Sequence, residues 1–117
     1  MSPVNPLFHI TSEEELQTAR AEGVYRPAAF AREGFIHCSY RQQVVPVANR
    51  LFRGRQGLVL LEIDPAQIPS PIVTENLEGG AELFPHIYGP LPLTAVVRVH
   101  AFPCGGDGRF ELSSEIL

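Results

Sequence analysis

The chain has 117 residues, 44% of them apolar and 19% charged, which suits one globular domain with its own core and excludes a disordered segment. Its net charge is −4, with arginine as its only strong base, so no basic face for nucleic acid is expected. No apolar run approaches the roughly 18–20 residues of a membrane-spanning helix, and Cys38 and Cys104 are read as free thiols in a cytoplasmic protein.

Residues 1–6 contain Pro3 and Pro6 and read as an N-terminal tail. Residues 7–11 form a first strand, with Phe8 and Ile10 on one face and Leu7, His9 and Thr11 on the other. The hydroxyls of Thr11 and Ser12, followed three places later by glutamate, make a capping box for a helix over 13–22, which Gly23 ends. Residues 25–31 connect it to a short strand over 35–39. Val44, Val47, Ala48, Leu51 and Phe52 recur at helical spacing and predict a second helix with one buried face. Pro46 starts or kinks its regular part, and Gly54 ends it.

Residues 58–63 are an almost unbroken apolar run, read as a central strand covered on both sides. The Pro-rich stretch over 65–80 is the longest loop, with a short edge strand over 72–74. Strands follow over 82–88 and 95–102. The tail over 104–117 carries Gly105, Gly106 and Gly108 and is expected to be flexible. Two early helices and mostly late strands, with no sustained βαβ rhythm, argue for a single α+β domain over 7–103.

Histidine is scarce, and its placement matters. On the 35–39 strand, His37 shares a face with Phe35 and Ser39, while Cys38 points the other way as a small buried apolar residue. On the 82–88 strand, Glu82, Phe84, His86 and Tyr88 share a face. An acid, an imidazole and a phenol together suit a polar, aromatic pocket better than a core face, because each polar group needs a partner once desolvated. The competing reading of each histidine is a hydrogen-bonded structural residue. His100, alternating with Arg98, is read as solvent-facing. His9, His37, His86 and Glu82 are acceptable metal ligands, but without HxH, HxxxH or CxxC spacing no metal is assigned. Arg50, Arg53 and Arg55 form the one arginine cluster. It is read first as a solvated helix end and second as a phosphate contact.

The segments Phe8-His9-Ile10-Thr11, Gly34-Phe35-Ile36-His37-Cys38-Ser39 and Phe84-Pro85-His86-Ile87-Tyr88-Gly89-Pro90-Leu91 resemble the mainly bacterial family known as domain of unknown function 952, over about 7–103. The resemblance implies an ADP-ribosyltransferase-like fold, with a mixed, split β-sheet, short helices and a cleft for NAD. It also implies a first-strand contact to ribose at His9, with Thr11 beside it, and a second site strand lined by Phe35, His37 and Ser39. A later strand ends at His86 and Tyr88, where Glu82 lies four residues before the position of His86, roughly 13 Å along a strand.

The leading expectation is a domain that binds NAD or a related nucleotide in a histidine-lined cleft, with ribosyl or phosphoryl-ribose transfer. His37 or His86 would serve as acid or base, and Glu82 would stabilise positive charge. His9, Thr11, Phe35, Ser39, Tyr88, Arg50 and Arg53 would bind the ligand. NAD is expected as a substrate, not as a bound cofactor. The alternatives are a non-catalytic small-molecule or regulatory module, and a metal-dependent enzyme using the three strand histidines.

Overall fold

The computed structural model describes residues 5–77 and 79–112. Strand β1 (Leu7–Ser12) runs directly into helix α1 (Glu13–Glu22). Ser12 ends the strand and caps the helix, its hydroxyl accepting from the Glu15 N–H at 3.0 Å; such a cap stabilises by about 1 kcal/mol. The reciprocal half of the expected capping box is absent. Glu15 instead turns its carboxylate to Thr11 and Tyr25. Gly23 closes α1 in the left-handed conformation at φ 80°, which glycine adopts without steric cost.

The connection after α1 holds strand β2 (Val24–Tyr25) and the single-turn helix α2 (Phe30–Glu33), followed by strand β3 (Ile36–His37). Helix α3 (Val44–Leu51) carries Pro46 in its first turn, where a missing N–H leaves no intrahelical bond unmade. Val44 and Ala48 are fully buried, whereas Leu51, expected on the buried face, is 58% exposed at the helix end. Strand β4 (Leu58–Ile63) is buried at all six positions, as its apolar run predicts.

The remaining strands are β5 (Ile72–Glu75), β6 (Phe84–Ile87), β7 (Leu91–Pro92) and β8 (Val96–Ala101). β6 is shorter than the 82–88 strand expected from alternation. The Gln43 side-chain amide takes the Leu83 carbonyl and the Asn76 amide takes the Glu82 carbonyl, so both main-chain acceptors are used outside strand pairing.

Three sheets result, in the orders β1-β4-β8, β2-β7 and β3-β6-β5. The expected mixed sheet is corrected, because every strand pairing among the described residues is antiparallel. The chain leaving α1 enters the small β2-β7 sheet and does not return beside β1, so no parallel crossover forms. The two larger sheets meet at one seam. There Phe8 and Ser39 exchange two backbone hydrogen bonds, each of 2.8 Å.

One core cluster, with Leu61, Ile63, Ile36, Ile87 and Leu16, fills the side that α1 covers. A second, with Phe8, Leu58, Leu60, Val44 and Ala48, lies under α3. The segment expected to hang loose from 104 packs into this second cluster as far as Leu112. Phe110 is buried and stacks on Phe102 with centroids 4.8 Å apart, and its N–H donates to Asn49. An apolar ring able to cover the sheet's edge outweighs the chain entropy of the nearby glycines. Residues 113–117 of that tail, and 1–4 of the N-terminal one, lie outside the described residues, while Pro6 is already buried. No helix among the described residues is long and apolar enough to cross a membrane.

Candidate functional site

The register of β3 against β6 pairs His37 with His86 and Ile36 with Ile87. Because side chains alternate along a strand, Phe35, His37 and Ser39 share a face with Tyr88, His86 and Phe84. The opposite face, with Ile36, Cys38 and Ile87, enters the core. The rings cluster as the alternation predicts. His37 and His86 have centroids 4.7 Å apart in an edge-to-face arrangement, and Phe35 lies 4.9 Å from His37, 4.6 Å from His86 and 5.4 Å from Tyr88.

The acid beside His86 is Glu75, not Glu82. β5 pairs with β6 so that Glu75 opposes Phe84 and Val73 opposes His86. Glu75 therefore shares the histidine face, one diagonal step from His86. Its carboxylate accepts from His86 Nδ1 at 3.0 Å and from the Tyr88 hydroxyl. Those two bonds, with Tyr88 the larger influence, hold the Glu75 carboxyl below its ordinary value, and the same contact raises the Tyr88 phenol. Glu82 is exposed and engaged by Gln43. Alternation alone points to Glu82, because an edge strand over 72–74 stops one residue short of Glu75.

His86 is 1% exposed, and its Nε2 is buried with no hydrogen-bond partner. Since a carboxylate only accepts, Nδ1 carries the proton in that bond, and in the neutral ring Nε2 presents a lone pair.

A cleft of about 180 Å³ opens at the seam, between the face of α3 and the ends of β1 and β3. Val47, Arg50, Leu51 and Phe52 form one wall, and Phe8, Ile10, His37, Ser39 and Phe84 form the other. His37 belongs both to this wall and to the ring cluster, and so links the cleft to the Glu75–His86 pair. Arg53 is not part of the lining, whereas Arg50 is.

His9 reaches the cleft wall, but both of its ring nitrogens are engaged inside the protein. Nδ1 donates to the His37 carbonyl, and Nε2 meets the Tyr25 hydroxyl at 2.7 Å. Burial lowers the His9 pKa below 6.5, so the ring is neutral near pH 7. Thr11 is 4% exposed and bonded to Glu15 and Tyr25, away from the cleft. The expected ribose contact by His9 and Thr11 therefore has no polar atom to offer in this conformation. The three strand histidines also do not converge as ligands, and among the described residues no group of three or more His, Cys, Asp or Glu is placed to hold a metal ion.

Cys38 is 3% exposed, and burial pushes its thiol far above the ordinary value, as befits a packing residue. Both cysteines are free thiols. His100, expected to face solvent, is 8% exposed and bonds Glu62 at 2.9 Å. Arg98 and His100 lie opposite Glu62 and Leu60 on one sheet face; the buried carboxylate of β4 holds His100 inward, while Arg98, Val97 and Val99 are exposed.

A family profile described as "Protein of unknown function (DUF952)" matches residues 10–99. The crystal structure of protein CC0527 from Caulobacter crescentus is similar at 32% identity and a TM-score of 0.84, covering 95% of this chain and 97% of that one. The solution NMR structure of CC0527 gives a TM-score of 0.82, also at 32% identity, over 96% of this chain. No curated protein matches.

Proposed function

We propose that this chain, which belongs to the DUF952 family, binds a nucleotide-like ligand bearing ribose and phosphate, NAD among them, in the cleft at the seam and handles a proton there through His37 and His86. One observation carries the reading. His86 is backed by a carboxylate on one nitrogen, keeps the other buried without a partner, and lies 4.7 Å behind a histidine that lines the cleft. A buried acceptor left unmet costs about 1–3 kcal/mol, and a proton delivered to it through His37 relieves that cost.

The cleft suits such a ligand in its other parts. Phe8, Phe52 and Phe84 offer apolar surface for a base, Ser39 offers a hydroxyl, and Arg50 offers a guanidinium for phosphate. The two large sheets parted at a seam, with the cleft lying on it, support the ADP-ribosyltransferase-like reading of the fold. In ribosyl transfer from NAD the bond from the anomeric carbon to nicotinamide breaks, nicotinamide leaves with that electron pair, and the acceptor hydroxyl loses its proton as its oxygen bonds to the same carbon. On this reading His37, at the cleft wall, receives that proton and passes it to the lone pair of His86 beside it. Glu75 then faces an imidazolium with its negative charge, the usual division of work between an acid and an imidazole. Glu82, held by Gln43, has no part in this reading.

Thermal shift and calorimetry with NAD, ADP-ribose and a 2′-phosphorylated nucleotide test the binding step. Saturable binding that weakens at least tenfold in Arg50→Ala is expected. Turnover of NAD that disappears in His86→Ala supports the enzyme. Binding with no turnover in either protein reduces the domain to a ligand-sensing module, and no binding of any of the three removes the reading.

A further inference from the structure

Both nitrogens of His9 are committed inside the protein, and what they hold is informative. Nδ1–H ties β1 to the main-chain carbonyl of His37. On the other side, the Tyr25 hydroxyl lies 2.7 Å from His9 Nε2, 2.9 Å from Thr11 Oγ1 and 3.2 Å from the Glu15 carboxylate, to which Thr11 donates at 2.8 Å. Tyr25 is 1% exposed and Thr11 4%. A polar chain therefore runs from the first turn of α1 through β2 and β1 and ends on the backbone of the one residue shared by the cleft and the ring cluster.

We propose that Glu15, Thr11 and Tyr25 act through His9 as a positioning network for His37, holding its backbone at the seam so that its ring faces both the cleft and His86. β3 is only two residues long, and the seam itself has just the Phe8–Ser39 backbone bonds, two residues from His37. The His9 tether adds a third attachment on the side away from His86. With the His9 ring neutral, Nε2 takes the single Tyr25 proton, so Tyr25 meets Thr11 and Glu15 through its oxygen alone. Such directional bonds fix geometry more sharply than apolar packing, which tolerates sliding. His9 is thus a positioning residue whose nitrogens face away from ligand. The functional consequence rests on the proposed role of His37, while the geometry is testable without ligand.

The experiment is NMR of the ligand-free full chain, reading the ring-to-ring contacts of His37 with His86 and the pH titration of the His37 imidazole. His9→Leu should lose the ring contact and move the His37 midpoint by roughly half a pH unit. His9→Asn keeps a short donor near the Nδ1 position and gives up Tyr25. It should restore both readouts even if it melts as early as His9→Leu. Tyr25→Phe, which removes a single hydroxyl, should give an intermediate shift and serves if His9→Leu does not fold. Unchanged His37 signals in His9→Leu, or in Tyr25→Phe where that variant stands alone, would overturn the proposal, as would failure of His9→Asn to restore them. Nucleotide binding does not enter these readouts, so a loss of the cleft reading and a loss of this one are distinguishable.

Discussion

His86 and His100 each receive a carboxylate from the strand beside them, Glu75 at 3.0 Å for the first and Glu62 at 2.9 Å for the second. By sequence and by distance the two pairs are alike, yet their surroundings differ. Glu62 is 4% exposed in its side chain and also meets Arg98 at 3.4 Å, so a permanent cation balances its charge and the group closes on itself. Glu75 is 24% exposed, and its second partner is the neutral phenol of Tyr88. Its charge remains available to an imidazolium, and the far nitrogen of His86 is unfilled. The first arrangement is stable because it is complete. The second leaves a buried imidazole nitrogen unmet, the feature on which the proposed proton role rests.

The comparison can be broken most directly at the histidines. His86→Ala should lower turnover of a nucleotide substrate by about 10²–10⁴-fold, and His100→Ala should leave it within about twofold. Equal losses in initial rates would erase the distinction. The second test reverses the readout. Glu62→Ala leaves buried His100 without its partner while half-exposed Arg98 turns to solvent, and should cost about 1–3 kcal/mol in urea unfolding, with nucleotide affinity retained. Glu75→Gln keeps the shape of the partner and removes its charge. It should reduce turnover about tenfold with little change in the urea midpoint.

Acid unfolding sharpens the contrast further. The Glu75 carboxyl is held below its ordinary value of 4.5, so its contribution is present above that pH and is lost as pH falls through the lower folded value. His9 acts earlier. Its folded pKa lies below 6.5 because of burial, so the unfolded chain takes up the proton first and stability begins to fall as pH drops past 6.5. Melting temperature against pH should show both declines, and Glu75→Gln should remove only the lower one. The smallest effect is expected from Tyr88→Phe, which returns Glu75 toward its ordinary acidity and should change turnover less than about threefold.

Much of this architecture was legible in the chain. Ser12 and Gly23 set the bounds of α1, and the apolar run of β4 marked the central strand. Alternation placed Phe35 with His37 on one strand's face and His86 with Tyr88 on another's, and strand pairing brings their rings together. What was missed depends on pairing between strands. Glu75 becomes a partner of His86 only once β5 lies beside β6 in a particular register. His100 turns inward because of Glu62, an acid hidden in an apolar run, across a sheet whose register shifts between Glu62 and Ile63. The engagement of His9 by Tyr25 joins residues 16 apart through a turn that no periodicity describes. Phe110, among glycines, gave no sign that it covers Phe102.

The seam between the two larger sheets has a mechanical consequence. Each half is held by its own ladder, but their backbones are bonded to one another only at Phe8 and Ser39 among the described residues. Fluctuations should concentrate along that line, where few bonds must break for the halves to part. The cleft lies on it. The amides of Phe8 and Ser39 should therefore exchange with solvent faster than those inside either ladder.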